Sequence, residues 1–171
     1  MICLKLKNSP LSRQMNKHQP VAGINPYTTV NGTRYFLIGR EIETLKWSGF
    51  VGGFEHNKDN DIYNTAVREL MEESCNVFQP WKQDIYDRLI NNQCHLVRGK
   101  TARKRDIYTW FVEFPADIKE LELEKQFQGN RNKMFDAHYM EKEKIKWVSE
   151  HDIFDEELSK GFRKNVKVFL K

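Results

Sequence analysis

Between Trp47 and Phe78 a glycine-bearing run, Ser48-Gly-Phe-Val-Gly-Gly53, is followed by a short polar loop and then a helical pattern. No other stretch limits the fold as much. On a helix advancing about 100° per residue, Tyr63, Ala66, Val67, Leu70 and Met71 form one apolar stripe, the side that must lie on a core. Glu69, Glu72 and Glu73 fall together on a different arc. Like charges at these spacings repel by a few tenths of a kcal/mol per pair, and the C-terminal half of a helix is the wrong end for anions. An ordinary charged surface would interleave lysines here. A hard cation held by oxygen ligands, magnesium above all, removes the repulsion.

The chain has 171 residues, 39% of them hydrophobic and 12% aromatic, enough for a single domain with a substantial core. Cys3, Cys75 and Cys94 make an odd set with no Cys-x-x-Cys spacing, so neither a disulfide framework nor a zinc site is indicated and a reducing compartment is the simpler setting. No apolar run reaches the roughly 20 residues of a membrane span, and the Met1 to Leu4 run is too short for a signal-peptide core. The expectation is a cytoplasmic protein with no membrane partner. Its oligomeric state is not legible. The net charge of +4 matches the excess of Lys5, Lys7, Arg13 and Lys17 in residues 1 to 20, which carry no acid. That basic arm either contacts an anionic ligand or nucleic acid or is a solvated tail; residues 21 to 171 form the domain.

Residues 2 to 6 could make a short strand. Tyr27 to Val30 and Arg34 to Gly39 read as strands around Asn31-Gly32, the dipeptide of a type I′ hairpin. Pro80 suits the first turn of a second helix, with Trp81, Ile85 and Leu89 on its buried edge and its end near Asn91 or Asn92. Gln93 to Val97 and Asp106 to Phe114 read as strands joined by the basic run Arg98 to Arg105. A helix around Asp117 to Leu123, a loop over Gly129 to Tyr139, a strand from Lys144 to Val148 and a closing helix from Phe154 to Leu170 complete the chain. Asp155, Glu156 and Glu157 would suit the N-terminus of that last helix.

The run Arg68-Glu-Leu-Met-Glu-Glu73, preceded by Gly52-Gly53, resembles the signature of the Nudix hydrolases: glycine, five residues, glutamate, seven residues, Arg-Glu-apolar-x-Glu-Glu-x-Gly-apolar. The second half matches from Arg68 to Glu73. In the first half, counting back from Arg68 puts the family's glycine on Phe54 and its glutamate on Asn60, whereas counting from Gly53 puts Asp59 at the acidic position with one extra residue in the loop. Asp59, Asn60 and Asp61 are all candidates for capping the helix. The final glycine falls on Cys75 or, shifted by one, on Asn76, a residue that tolerates left-handed backbone. The likeness extends over roughly residues 21 to 160 and implies an α+β fold with a mixed sheet between helices.

It also implies a chemistry. Glu69, Glu72, Glu73 and the Gly53 carbonyl would hold magnesium, or manganese in its place; Arg68 would fix a carboxylate in its ligating rotamer; and Glu72, Glu73 or Glu141 would be the base that activates water toward a diphosphate linkage. Glu143 is the nearest competitor of Glu141. Arg40, Trp47, Gly53, Arg103 and Arg105 are candidate substrate contacts. Trp47, Phe50 and Trp110 are candidates for stacking a base, with core burial the better reading for Trp110. The substrate would be a nucleotide or polyphosphorylated compound, with capped RNA or RNA backbone a second candidate through the basic Arg98 to Arg105 run. The alternative function is a Nudix-like module that binds a nucleotide or RNA without turnover.

Overall fold

A computed structural model describes residues 19–171. The strand expected over residues 2 to 6, Cys3 and most of the basic arm lie outside the described residues.

The hairpin forms as its turn chemistry demands. Strands β1 (Val21–Val30) and β2 (Thr33–Glu41) pair antiparallel from Tyr27↔Phe36 to Val30↔Thr33, and Asn31 (φ 51°) and Gly32 (φ 80°) take the two left-handed positions of a type I′ turn. Away from the turn the two strands part. Beyond Tyr27, β1 pairs with β4 (Phe50–Gly53), while β2 pairs with β3 (Trp47–Ser48), so that Gly49 crosses the fork between them. On its other edge β1 runs parallel to β6 (Asp106–Phe114), which pairs with β5 (His95–Lys100), and β2 carries β7 (Lys142–Ser149). The result is a seven-stranded mixed sheet.

One face is covered by α1 (Ile62–Glu73), α2 (Lys82–Ile90) and α3 (Leu123–Arg131). Ala66, Val67, Leu70 and Met71 of α1 pack with Ala22, Ile24 and Leu37 of the sheet, as the apolar stripe requires. The opposite face is covered by α4 (Lys160–Phe169), whose Phe162 and Val166 pack on Phe36, Ile38, Trp47 and Phe111. Alternation along β2 sorts the residues: Phe36 and Ile38 face α4, Leu37 faces α1. The expected α+β sandwich is the one observed.

Several boundaries differ from the sequence reading. The second helix begins after a 3-10 turn at Gln79–Trp81 that carries Pro80. Strand β5 starts at His95 rather than Gln93 and continues through Lys100, so Arg98 and Lys100 belong to a strand and the connection shortens to residues 101 to 105. The region expected to be helix and then loop is a 3-10 turn at Ala116–Leu121, then α3, then a second 3-10 turn at Ala137–Met140. Helix α3 buries only Leu123 and Phe127, one i, i+4 pair, too short a stripe to register as a period. The closing helix starts at Lys160, not Phe154. Before it, the backbone is committed elsewhere: Trp47 donates its N–H to the Glu157 carbonyl at 2.9 Å, and the Ser159 N–H donates to the Trp47 carbonyl at 2.8 Å. Asp155, Glu156 and Glu157 therefore do not sit in its first turn, which carries no acid.

The two cores lie on opposite faces of one sheet. Leu70→Ala and Phe36→Ala are each expected to cost about 2–5 kcal/mol in urea denaturation, and the double variant should lose the sum to within about 0.5 kcal/mol. A markedly smaller combined loss would show that the layers are coupled.

Candidate active site

Helix α1 begins where Asp61 caps it, accepting the Asn64 N–H at 2.7 Å and the Tyr86 hydroxyl at 2.8 Å. Asp61 is thus the cap. Asp59 has a different position: it is buried, and its carboxylate takes Arg68 Nε and Nη2 in a two-pronged pair, each at 2.9 Å, together with the Glu55 N–H and the Thr65 hydroxyl. Asn60 is exposed. Counted from Gly53, with five residues between, the acid that faces the arginine is Asp59. Burial works against ionising Asp59, but Arg68, the Glu55 N–H and the Thr65 hydroxyl together outweigh it and hold the carboxyl below its ordinary range.

Arg68 reaches further. Its Nη2 donates to the Gly53 carbonyl at 2.8 Å, and its Nη1 lies 2.8 Å from Glu69 and 2.9 Å from Glu72. One guanidinium therefore ties the loop, the diglycine strand and two carboxylates of α1 together. Glu69 tucks under Gly52 so closely that a Cβ there would come 2.1 Å from its carboxyl carbon. Gly52 is glycine because an acid occupies the space of its side chain.

Glu73 is buried at the end of the same arc. It accepts the Val51 N–H at 3.2 Å and lies 3.5 Å from the ammonium of Lys142. That lysine, only 2% exposed, also donates to the Ser48 hydroxyl and lies 3.7 Å from Glu41. Sequence reading missed it, and its inward position comes from a β-bulge. Glu41 opposes Lys142 and Arg40 opposes Lys144, leaving Glu143 as the extra residue. The slip turns Lys142 toward α1 and sends Glu143 to Arg40, 2.7 Å away. Glu141, one residue before the bulge, is exposed and lines a cleft of about 500 Å³ with Glu41, Glu43, Glu73 and Lys142. Among the described residues it makes no ion pair.

The sequence candidates therefore separate into groups. Arg68, Glu69, Glu72, Glu73 and Gly53 come together, with Glu141 across the cleft. Arg105 joins them at the edge: its Nη1 would lie 3.7 Å from a Cβ on Gly53, and its buried Nε has no partner among the described residues. Arg103 points into solvent at the hairpin tip. Arg40 and Trp47 do not join the site. Alternation along β2 puts Arg40 on the α4 face, and Trp47, 7% exposed, belongs to the α4 core with Lys144 and Lys146 against its ring. Phe50 is fully buried and Trp110 nearly so, as core residues. Neither they nor Trp47 offer a free face for stacking.

The end of α1 also departs from a glycine stop. Cys75 (φ 52°) and Asn76 (φ 60°) are both left-handed, and the Asn76 N–H closes the helix on the Met71 carbonyl at 2.8 Å. Cys75 is held there although cysteine gains nothing from the conformation: its thiol donates to the Tyr139 carbonyl at 3.2 Å and its own carbonyl accepts from Asn130.

The donor set fits a hard cation. It consists of carboxylates and a strand carbonyl, with no thiolate or imidazole among them. In the arrangement described, Arg68 and Lys142 occupy the acids, and among the described residues no three acidic, histidine or cysteine groups already converge on one point. The acids retain an uncompensated demand for positive charge: burial pushes Glu69 up to about 7 and Glu73 up to about 8 from the ordinary 4.5, against the pull of Arg68 and Lys142 respectively, and with Glu141 adding repulsion to both.

No protein-family model and no curated protein matches the sequence. Solved structures match it across most of its length. They include the NUDIX domain of NrtR from Shewanella oneidensis in complex with ADP-ribose (10% identity, 88% of this chain and 84% of that one, TM-score 0.55). Another is the C. elegans Ap4A hydrolase in a binary complex (14% identity, 88% and 94%, TM-score 0.51). A third is the C-terminal domain of mouse MUTYH in its complex with human PCNA (9% identity, 89% and 87%, TM-score 0.51). The chain has the Nudix fold. None of its described helices is long and apolar enough to cross a membrane.

The raised acids set a sign for the pH dependence of stability. Between about 4.5 and 8 the folded, metal-free protein holds protons on Glu69 and Glu73 that the unfolded chain has released, so stability falls as pH rises through that window. The Asp59–Arg68 pair acts in the opposite sense, but only below the ordinary range of an aspartate. Thermal unfolding in chelator should show a midpoint that declines from pH 5 to pH 8.5, with a shallower slope in Glu73→Gln. A midpoint rising across that range would contradict the burial of these acids.

Proposed function

We propose that this chain is a Nudix-type pyrophosphohydrolase that uses magnesium, or manganese in its place, to cleave a diphosphate linkage in a nucleoside-diphosphate-linked substrate. The observation that carries this reading is the acidic arc of α1: Glu69 fills the space above Gly52, Arg68 links Glu69 to Glu72, and Glu73 lines the adjoining cleft with Glu141. Three adjacent acids, two of them buried, impose a standing electrostatic cost on α1. A divalent ion removes it. The Shewanella domain was solved with ADP-ribose and the C. elegans protein is an Ap4A hydrolase; both compounds contain phosphoanhydride-linked adenosine, which supports a substrate of that kind.

Glu69, Glu72, Glu73 and the Gly53 carbonyl are the groups that would hold the ion. When bound, magnesium polarises phosphate oxygens and lowers the pKa of a coordinated water. Around it the residues divide the work by position. Arg68 is a positioning residue, setting the rotamers of Glu69 and Glu72 while its bond to Gly53 fixes the strand above them. Glu141, exposed to the cleft and unpaired among the described residues, is placed to accept the proton of an attacking water. Lys142 would balance the charge of Glu73 and offer an ammonium to a phosphate oxygen. Arg105, beside Gly53 and with a buried nitrogen that has no partner among the described residues, would take a phosphate further along the substrate.

The protein should be incubated with magnesium and ADP-ribose, dinucleoside polyphosphates, nucleoside triphosphates, diphosphoinositol phosphates and capped RNA, and the released products separated. At least one substrate should be hydrolysed, and Glu72→Gln should lose about 100-fold or more. Retained nucleotide binding without turnover of any compound would overturn the hydrolase reading in favour of a binding module. Among active preparations, Glu141→Gln should lower kcat by about 10²- to 10⁴-fold and remove the acidic limb of the pH–rate profile. A change confined to KM would show that Glu141 does not act as the base.

A further inference from the structure

The α1 face of the β5–β6 hairpin carries a row of flat side chains that ends in a cation. Tyr63 of α1 leans on Trp110, with ring centroids 5.5 Å apart, and Trp110 lies nearly parallel to Tyr108, at 6.3 Å and 21°. Tyr108 faces Arg98 across the strand pair, and the Arg98 guanidinium lies over its ring, 5.8 Å from the centroid. Burial falls along the row: Trp110 is 4% exposed, Tyr108 half-buried and Arg98 exposed. Among the described residues Arg98 makes no ion pair. Beyond the row, positive charge is concentrated. Residues 98 to 106 hold five cations, Arg98, Lys100, Arg103, Lys104 and Arg105, against one acid, Asp106, which pairs with Lys100. The tip is built rather than loose. The Thr101 N–H donates to the Arg105 carbonyl and the Lys104 N–H to the Thr101 carbonyl, each at 2.9 Å, while the Thr101 hydroxyl accepts the Arg105 N–H at 3.1 Å. Arg103 and Lys104 are thereby held out to solvent, and Arg105 stands beside Gly53. Protection of an edge strand accounts for some charge on β5. It does not account for a guanidinium laid flat on a tyrosine, nor for a turn of like charges.

Two demands meet on this surface, since flat faces ask for flat partners and cations for anions. An acidic peptide meets only the second. A nucleic-acid duplex meets the second through its backbone but keeps its base faces stacked inside. A single strand meets both, because its bases are free to stack on an arginine plane or an aromatic ring while its phosphates lie against the neighbouring cations. We propose that the β5–β6 hairpin is a platform for single-stranded nucleic acid, with Arg98 on Tyr108 as the stacking face and Arg103 and Lys104 as phosphate contacts. The contacts are to base faces and phosphates, so RNA and DNA share the chemistry. The inference deepens the proposed function and rests on it in one respect: Arg105 joins the platform to Gly53, so that a strand lying there has its phosphoanhydride-bearing end at the acidic arc.

The test uses the full chain in chelator with fluorescent RNA and DNA strands of about 12 nucleotides, read by anisotropy between about 50 and 200 mM KCl. Their 5′ ends are hydroxyls, so no phosphoanhydride is present and the result is independent of turnover. At least one of the two strands should bind, with a Kd of about 10⁻⁴–10⁻⁶ M, and its base-paired duplex should bind roughly fivefold or more weakly. Arg98→Lys keeps the charge and removes the plane. It should weaken binding roughly fivefold or more without changing the salt dependence. Arg103→Gln combined with Lys104→Gln should instead make the slope of log K against log salt shallower by about 1.4, two phosphate contacts at about 0.7 each. All three positions are exposed, so the variants should melt as wild type does. Binding within twofold of wild type in both variants would put the contact elsewhere, as on the basic residues 1 to 20, and overturn the proposal. So would a duplex bound as tightly as its single strand, polyglutamate displacing the strand at equal charge, or no binding at all. Binding with the expected sensitivities in a protein that hydrolyses nothing would retain the platform and remove the hydrolase reading. Turnover of nucleotides by a protein that binds neither strand would do the reverse.

Discussion

The site depends on a single guanidinium. Arg68 bonds Asp59, the Gly53 carbonyl, Glu69 and Glu72, so three separate pieces of chain, the loop, the diglycine strand and α1, are registered against one planar group. A lysine could not do this, since it lacks the rigid fork that meets a carboxylate at two points while reaching a carbonyl with a third bond. The arrangement also explains why the irregular loop does not dislocate the site. An extra residue between Gly53 and the helix moves Asn60 and Asp61 outward, but the pairing is made by Asp59, counted from the glycine side.

Glycine, acid and strand are mutually dependent in a second way. Glu69 is buried because it fills the space above Gly52, and Glu73 because it turns back to the Val51 N–H. Burying like charges so close together is a poor way to stabilise a helix. Part of the demand is met internally by Arg68 and Lys142, and the remainder appears as carboxyls that stay protonated well above their usual range. The helix is held through its other face, where Leu70 and Met71 join the core.

Much of this was legible in the sequence, for identifiable reasons. Asn31-Gly32 specifies a turn by its backbone preferences, Asp106 to Phe114 alternates strictly, and the α1 stripe repeats over three turns. The acids of α1 were conspicuous because their spacing is unfavourable without a partner. Other features were not encoded locally. Helix α3 has a single buried pair, and residues 156 to 159 resemble a helix start until Trp47 takes their backbone bonds. Arg40 and Trp47 sit beside each other across two paired strands but face the wrong layer, a distinction that period-two reasoning can make only once the sheet's orientation is known.

The bulge in β7 has a wider meaning. Residues 141 to 144 alternate acid and base, Glu-Lys-Glu-Lys, before Ile145 interrupts the pattern, so either sign of charge was available to the inner face. One unpaired residue at Glu143 selects the lysine. The charge in the cleft is consequently a property of strand register rather than of composition: two chains with identical residues here, differing only in where the slip falls, would present opposite polarity to the same acids.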